Sequence, residues 1–249
     1  MKYSLSAVIL LAGLVSATGL TAGTIEPCTR ASLAFYESLT PDSAVSQCSI
    51  GILLFSNFTF SAVGSGATET PNDIILNPFA DAGDVGGGFG FSRQPDSVSS
   101  GPAFTIGAGQ SATYTIDWKF VIDPGPVGSG ADLGMDPPFG DVSITQDYCL
   151  DSDFVVTNGG LSCSGHGNKL QTLFVNVANP TDHRDFQPPA NLFGNVMTII
   201  QLNGNTQTGS SGFDAVNTTT SVTPEPVSLV LALAGLAAIG ARRRFKPQG

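Results

Sequence analysis

Between Thr113 and Ile122 the chain alternates without a fault. Tyr114, Ile116, Trp118, Phe120 and Ile122 fall on one parity, and Thr113, Thr115, Asp117 and Lys119 on the other. Side chains of a strand point to opposite faces with a period of two, so this register buries one face and wets the other. A helix would scatter the same aromatics around its circumference. Weaker strands are expected at Ile52–Ser61, Asp73–Leu76, Gly88–Ser92, Asp141–Asp147, Leu170–Ala178, Val196–Asn203 and Gly212–Asn217. The breaks carry turn chemistry: Asp123-Pro124-Gly125-Pro126, Asp136-Pro137-Pro138, Asn158-Gly159-Gly160, Gln187-Pro188-Pro189 and Asn203-Gly204. Only Thr29–Leu39 reads as a helix, with Leu33 and Tyr36 facing inward. Many short strands between Gly/Pro turns predict an all-β fold, an antiparallel β-sandwich of jelly-roll type with one short N-terminal helix.

Composition narrows the function classes. Charged residues are only 12% of the chain, against 30 Gly and 16 Pro, which excludes coiled coils and helical bundles. A pI near 4.3 excludes nucleic acid as a partner, since phosphate binding needs clustered Lys and Arg. The charge is unevenly placed. Residues 24–222 hold 19 of the 20 acids and five of the ten bases, a net −14, while both ends are positive.

Those ends read as addresses. Lys2 precedes an apolar run from Leu5 to Val15 and then small residues to Gly23, the layout of a secretory signal peptide over residues 1–23. At the other end, Thr223-Pro224-Glu225-Pro226 precedes an uncharged stretch from Val227 to Ala241, then Arg242, Arg243 and Arg244. Fifteen helical residues span about 22 Å against an oily bilayer core of about 30 Å, so this single hydrophobic helix is expected to be a weak, temporary anchor. Its seven strongest apolar residues contribute about −3.5 kcal/mol to insertion. The arginines stop translocation on the cytoplasmic side. Two prolines hold Glu225 in extended backbone at the membrane surface.

The tripartite tail resembles the PEP-CTERM sorting signal of Gram-negative bacteria. That resemblance covers Thr223 to about Lys246 and implies recognition of Pro224, Glu225 and Pro226 by exosortase, a membrane cysteine transpeptidase that removes the tail. It implies a route through the secretion translocon, signal peptidase and the inner membrane to the cell surface or an extracellular, exopolysaccharide-associated matrix. The spacing of Cys28 and Cys48, followed by Ser49-Ile50-Gly51 and Phe55-Ser56-Asn57-Phe58, is also similar to other PEP-CTERM bodies, more loosely. The expected organisation is a signal peptide at 1–23, a β-sandwich body at 24–204, a Ser/Thr/Gly spacer with a possible last strand at 205–223, and the sorting tail at 224–249.

Four cysteines in an exported chain are expected to be oxidised. Local pairing, Cys28 with Cys48 and Cys149 with Cys163, is preferred among the three connectivities. Each loop contributes about 3 kcal/mol in the chain-entropy model. A zinc site from Cys149, Cys163 and His166 is the competing use.

Catalytic patterns are sparse, and no catalytic residue, cofactor or metal is assigned. His166 stands in Ser164-Gly165-His166-Gly167, and His183 in Asp182-His183-Arg184-Asp185. Gly160-Leu161-Ser162-Cys163-Ser164 misses a nucleophile elbow because its last position is not Gly. Gly86-Gly87-Gly88-Phe89-Gly90 lacks the Lys-Ser/Thr of a phosphate loop and is expected to be a flexible turn or bulge. Asp81 with Asp84, and Asp147 with Asp151 and Asp153, offer oxygens of the kind calcium takes, with surface solvation as the plainer use. Asn57-Phe58-Thr59 and Asn217-Thr218-Thr219 match the N-glycosylation pattern. The expectation is therefore a structural or binding protein and not an enzyme. The alternatives are a secreted hydrolase using His166 or His183, or a carbohydrate- or ice-binding sandwich.

Overall fold

The alternating stretch is a twelve-residue strand, Ser111–Ile122, with Tyr114, Ile116, Trp118, Phe120 and Ile122 all buried. The computed structural model describes residues 24–40, 45–80, 86–93, 104–122, 128–136, 138–157, 160–164, 170–186, 193–204, 209–213 and 215–222. The expected signal peptide, Pro224, Glu225, Pro226, Arg242, Arg243, Arg244, His166, Asp81, Asp84 and most of the expected turn residues lie outside them.

From the N-terminal side the elements are β1 (Thr24–Pro27), β2 (Ala31–Ser32), α1 (Leu33–Glu37), β3 (Val45–Ile50), β4 (Leu53–Val63), β5 (Ile74–Ala80) and β6 (Gly87–Arg93). Then come β7 (Phe104–Ile106), β8 (Ser111–Ile122), β9 (Gly128–Asp136), β10 (Asp141–Leu150), β11 (Phe154–Thr157), β12 (Gly160–Cys163) and β13 (Gln171–Asn176). The chain closes with β14 (Thr181–Asp185), β15 (Phe193–Asn203), β16 (Ser211–Phe213) and β17 (Ala215–Val222). Of the two large sheets, one has seven strands in the order β1-β3-β4-β8-β15-β10-β13 and the other six, β14-β9-β17-β6-β5-β2, while β11–β12 and β7–β16 form separate two-stranded sheets. The pairing is nested: β4 pairs β8 in one sheet while β5 pairs β6 in the other, and β9–β17 encloses β10–β15 in the same way. Among the described residues every strand pair is antiparallel except β1 with β3, which is parallel and departs from the expected antiparallel arrangement.

The core lies between the sheets. Phe55 and Phe58 of β4 meet Phe89 of β6 at ring separations of 4.8 and 5.6 Å, and Phe91 tilts against Trp118 at 5.6 Å. A bulge makes this possible. The β4–β8 register shifts between Ser56 and Thr59, with Asn57 at φ 56°, so Leu53 and Phe55 point inward before it and Phe58 after it. A polar bridge also crosses the core: Thr218 Oγ1 of β17 donates to Gln146 Oε1 of β10. Within the seven-stranded sheet, Gln146 Nε2 donates to Thr198 Oγ1 at 2.8 Å and Tyr148 Oη to Gln146 Oε1 at 2.9 Å.

Three expectations change. The helix is Leu33–Glu37, not Thr29–Leu39, because Ala31 and Ser32 pair with Leu76 and Ile75 and Ser32 caps the helix by accepting the Phe35 N–H. Leu33 and Tyr36 do face inward. The glycine run is no turn: Gly87, Gly88 and Gly90 sit within β6. The stretch expected as a spacer with a possible last strand carries two strands, β16 and β17, among its described residues. Phe213 and Val216 are fully buried, and β17 lies between β9 and β6, so the body extends to Val222. Polar Thr side chains at 218 and 220, which face the core in place of apolar ones, hid the part of this strand beyond Asn217.

Both expected bridges are present, Cys28–Cys48 and Cys149–Cys163. The first ties β1 to β3; the second closes the excursion carrying the β11–β12 hairpin. Two oxidised pairs fit an extracellular or other oxidising compartment. Among the described residues no helix is long and apolar enough to cross a membrane.

Candidate functional site: a groove across the six-stranded sheet

The outward face of the six-stranded sheet is built from two adjacent register rows. One runs Phe79, Gly88, Thr219, Asp132, His183 through β5, β6, β17, β9 and β14. The next runs Asn77, Gly90, Asn217, Gly134, Thr181 through the same five strands. Five strands at about 4.8 Å spacing make a track about 19 Å long. Glycines interrupt both rows, leaving an open groove of about 890 Å³ lined by Phe79, Asp132, Gly134, His183, Asn217 and Thr219, among others.

The glycines are there for two different reasons. A Cβ on Gly88 would come within 1.7 Å of the Thr218 carbonyl oxygen, so the β6–β17 approach requires glycine. A Cβ on Gly134 would meet nothing nearer than Thr181 Cγ2 at 4.0 Å. Gly134 is therefore empty space in the groove and not a packing necessity.

The polar end of the groove is a charge cluster. His183 Nδ1 lies 2.7 Å from Asp132 Oδ1, and His183 Nε2 lies 3.1 Å from Asp185 Oδ1. A carboxylate only accepts, so both contacts are hydrogen bonds at once only when the ring is protonated at both nitrogens. The hydrogen bond to Asp132, then that to Asp185, raises the His183 pKa above its ordinary value. Thr219 Oγ1 donates to Asp132 Oδ2 at 3.2 Å. The order is thus hydroxyl, carboxylate, imidazole. A nucleophilic relay needs the hydroxyl on the imidazole, and here both ring nitrogens already serve carboxylates.

The opposite parity of β14 does separate work. Asp182 Oδ2 accepts the Phe174 N–H at 2.9 Å and Arg184 Nε donates to the Thr172 carbonyl at 3.2 Å. Both partners lie on β13, the last strand of the seven-stranded sheet, whose free edge would otherwise present unpaired backbone groups. The Asp-His-Arg-Asp motif thus divides by strand parity: Asp182 and Arg184 bond to the edge of β13 while His183 and Asp185 pair on the other side, and Asp182 and His183 both line the groove.

Other sequence candidates resolve differently. Oxidation of Cys149 and Cys163 removes both thiolates from the zinc reading. Asp147, Asp151 and Asp153 do not converge on a cation: Asp147 Oδ1 accepts from Thr172 Oγ1, Asp151 Oδ1 from the Phe193 N–H and Asp153 Oδ1 from Asn195 Nδ2. Among the described residues no group of three or more His, Cys, Asp or Glu side chains is placed to hold a metal. Trp118 is in the core, as its parity requires, and does not serve as a surface platform. Among the described residues the face of the seven-stranded sheet has no regular threonine ranks; its central row reads Ser61, Thr115, Ile199, Thr145, Phe174. Phe79 and Asp132 carried no sequence signal of their own, and Asn217 and Thr219 stood out only as a glycosylation triplet, because only register brings the four together.

No family model matches the chain, and no curated protein matches it. Solved structures with a similar arrangement include the carbohydrate-binding module TmCBM61 in complex with β-1,4-galactotriose, at 7% identity and a TM-score of 0.29. That match covers 64% of this chain and 86% of the module. The mannan-recognising module TmCBM27 follows at 9% identity and a TM-score of 0.25, covering 78% of this chain and 97% of the module. The enzymatically active domain of bacteriophage CBA120 tailspike protein 4 is similar at 14% identity and a TM-score of 0.23, over 68% of this chain and 20% of the tailspike chain.

Proposed function

We propose that this chain is an exported binding protein whose jelly-roll-like body holds a saccharide chain in the groove across the six-stranded sheet. The single observation that carries this reading is the register row from Phe79 at one side to His183 at the other, beside the parallel row from Asn77 to Thr181. Sugar rings present an apolar face and hydroxyl edges. Phe79 offers an apolar contact, while Asn217, Thr219 and Asp132 offer donors and acceptors along an open track. A small, enclosed substrate would need a deeper pocket. Binding, not catalysis, is favoured because Asp132 and Asp185 occupy both nitrogens of His183.

The route we propose follows the tail. Pro224, Glu225 and Pro226 serve as the exosortase motif, Arg242 to Arg244 as the cytoplasmic stop, and the product is released to the cell surface or matrix. Glu225→Ala, or deletion from Pro224 onward, is expected to change C-terminal processing; mass spectrometry finding intact Lys246 in mature surface material counts against it. For the body, Gly134→Val fills the groove without a backbone clash. It should abolish retention on a polysaccharide affinity gel while leaving the melting temperature unchanged. Undiminished retention in that variant would remove the groove from the function.

A further inference from the structure

We infer that the groove takes an uncharged saccharide and rejects an acidic one, with Asp132 as the central acceptor and His183 as the residue that positions it. The inference rests on the saccharide reading and adds the ligand class.

The argument begins with charge. The charged side chains lining the described groove or facing His183 are Asp132 on β9 and Asp182, Arg184 and Asp185 on its own strand. β17 brings only Asn217 and Thr219 to this end, and β13 has no titratable side chain. Arg184 donates its Nε to the β13 edge. With its ring protonated, His183 stands with the Arg184 guanidinium against three carboxylates, on a body of net −14. A uronate or sulfated chain would bring its own anions beside these, at a cost in repulsion and desolvation that hydroxyls avoid.

Asp132 is the acceptor best placed to read those hydroxyls. It stands at the middle of the polar half of its row, flanked by Thr219 and His183. Each carboxylate oxygen takes one of those two hydrogen bonds, and about two lone-pair directions remain for a ligand. His183 fixes the plane of that carboxylate by bridging to Asp185. Once the ring loses a proton it has a single N–H, which cannot serve both carboxylates. The plane of Asp132 is then held by Thr219 without the bridged imidazole, and the groove gains negative charge. Affinity for an uncharged chain should fall as pH rises through the His183 transition.

The test uses the full chain in a zwitterionic, sugar-free detergent, with calorimetry against neutral tetrasaccharides of β-1,4-linked glucose, mannose and galactose, and against tetragalacturonate. At least one neutral probe should bind at about pH 5.5, with tetragalacturonate weaker by about tenfold or more. Raising the pH to about 8.5 should weaken the neutral probe by about tenfold in the native protein and leave His183→Gln almost unchanged. Asp185→Asn keeps the Asp132 contact and should move the midpoint of that fall to lower pH. Equal or tighter binding of tetragalacturonate overturns the ligand class. Identical pH profiles for the native protein and His183→Gln overturn the role of His183. Either result leaves the groove as a saccharide site. Absence of binding by every tetrasaccharide at every pH overturns both readings together.

Discussion

Thr218 Oγ1 donates to Gln146 Oε1 at 2.8 Å, joining the two sheets from inside the core, on the opposite face of β17 from Asn217 and Thr219. Tyr148 supports the same oxygen, and its hydroxyl is pushed to a higher pKa by burial, so it remains a neutral donor. The groove floor and the inter-sheet polar bridge are thus two faces of one strand. Thr218→Val keeps the shape and removes the donor. It is expected to cost about 1–2 kcal/mol, measured by urea unfolding. Combined with Gln146→Leu, the loss should be smaller than the sum of the two single losses, because the variants share one bond.

Asp117 makes the opposite prediction. Burial raises its pKa; one oxygen accepts from Thr59, and the other is buried without a hydrogen-bond partner. A carboxyl whose folded pKa is raised favours the fold below its unfolded pKa and loses that contribution as pH rises through the folded value. Asp117→Asn should therefore unfold at a higher temperature than the native protein near pH 7. The difference should vanish near pH 3. A melting temperature that falls at both pH values would refute the burial argument.

Asp73 behaves in the usual carboxylate manner. Its pKa is lowered by the Thr70 hydroxyl, then by the Thr70 backbone N–H. The stability it lends is present above the unfolded value and is lost as pH falls through the lowered one. Asp73→Ala should cost about 0.5–1.5 kcal/mol near neutrality, and almost nothing in acid, by thermal melts across that range.

Removing the Cys149–Cys163 bridge as the double alanine variant should cost about 3 kcal/mol in chain entropy. The loss should appear as a lower melting temperature, and reducing agent should then affect the variant less than the native protein. Free thiols in exported native protein would overturn the pairing.

Asp182→Ala uncaps the edge of β13. Faster amide exchange at Phe174 is expected, together with concentration-dependent association by light scattering, since Phe174 is itself 47% exposed beside that edge. Unchanged exchange at Phe174 would show that Asp182 does not close it.

Where the pattern of apolar residues was regular, the structure was legible. The β8 alternation placed Trp118 in the core, and cysteine spacing in an exported chain pointed to both local bridges. Legibility failed where polarity or glycine took an inward or central place. β14, Thr-Asp-His-Arg-Asp, contains no apolar residue to announce it, and β9 hides Ala131, Leu133 and Met135 among glycines and acids. In β17, Thr218 and Thr220 face inward because Tyr148 and Gln146 are there to receive a hydroxyl.

The amino-acid order alone determined that this body is acidic and all-β, stapled by local disulfides, with positive ends that resemble export and sorting signals. Each of those properties depends on residues close together in the chain or on composition. The groove was decided only by tertiary structure. Phe79, Thr219, Asp132 and His183 lie far apart in sequence and share one row only because antiparallel pairing sets the register of five strands. A shift of one residue in any of them would turn its side chain to the other face.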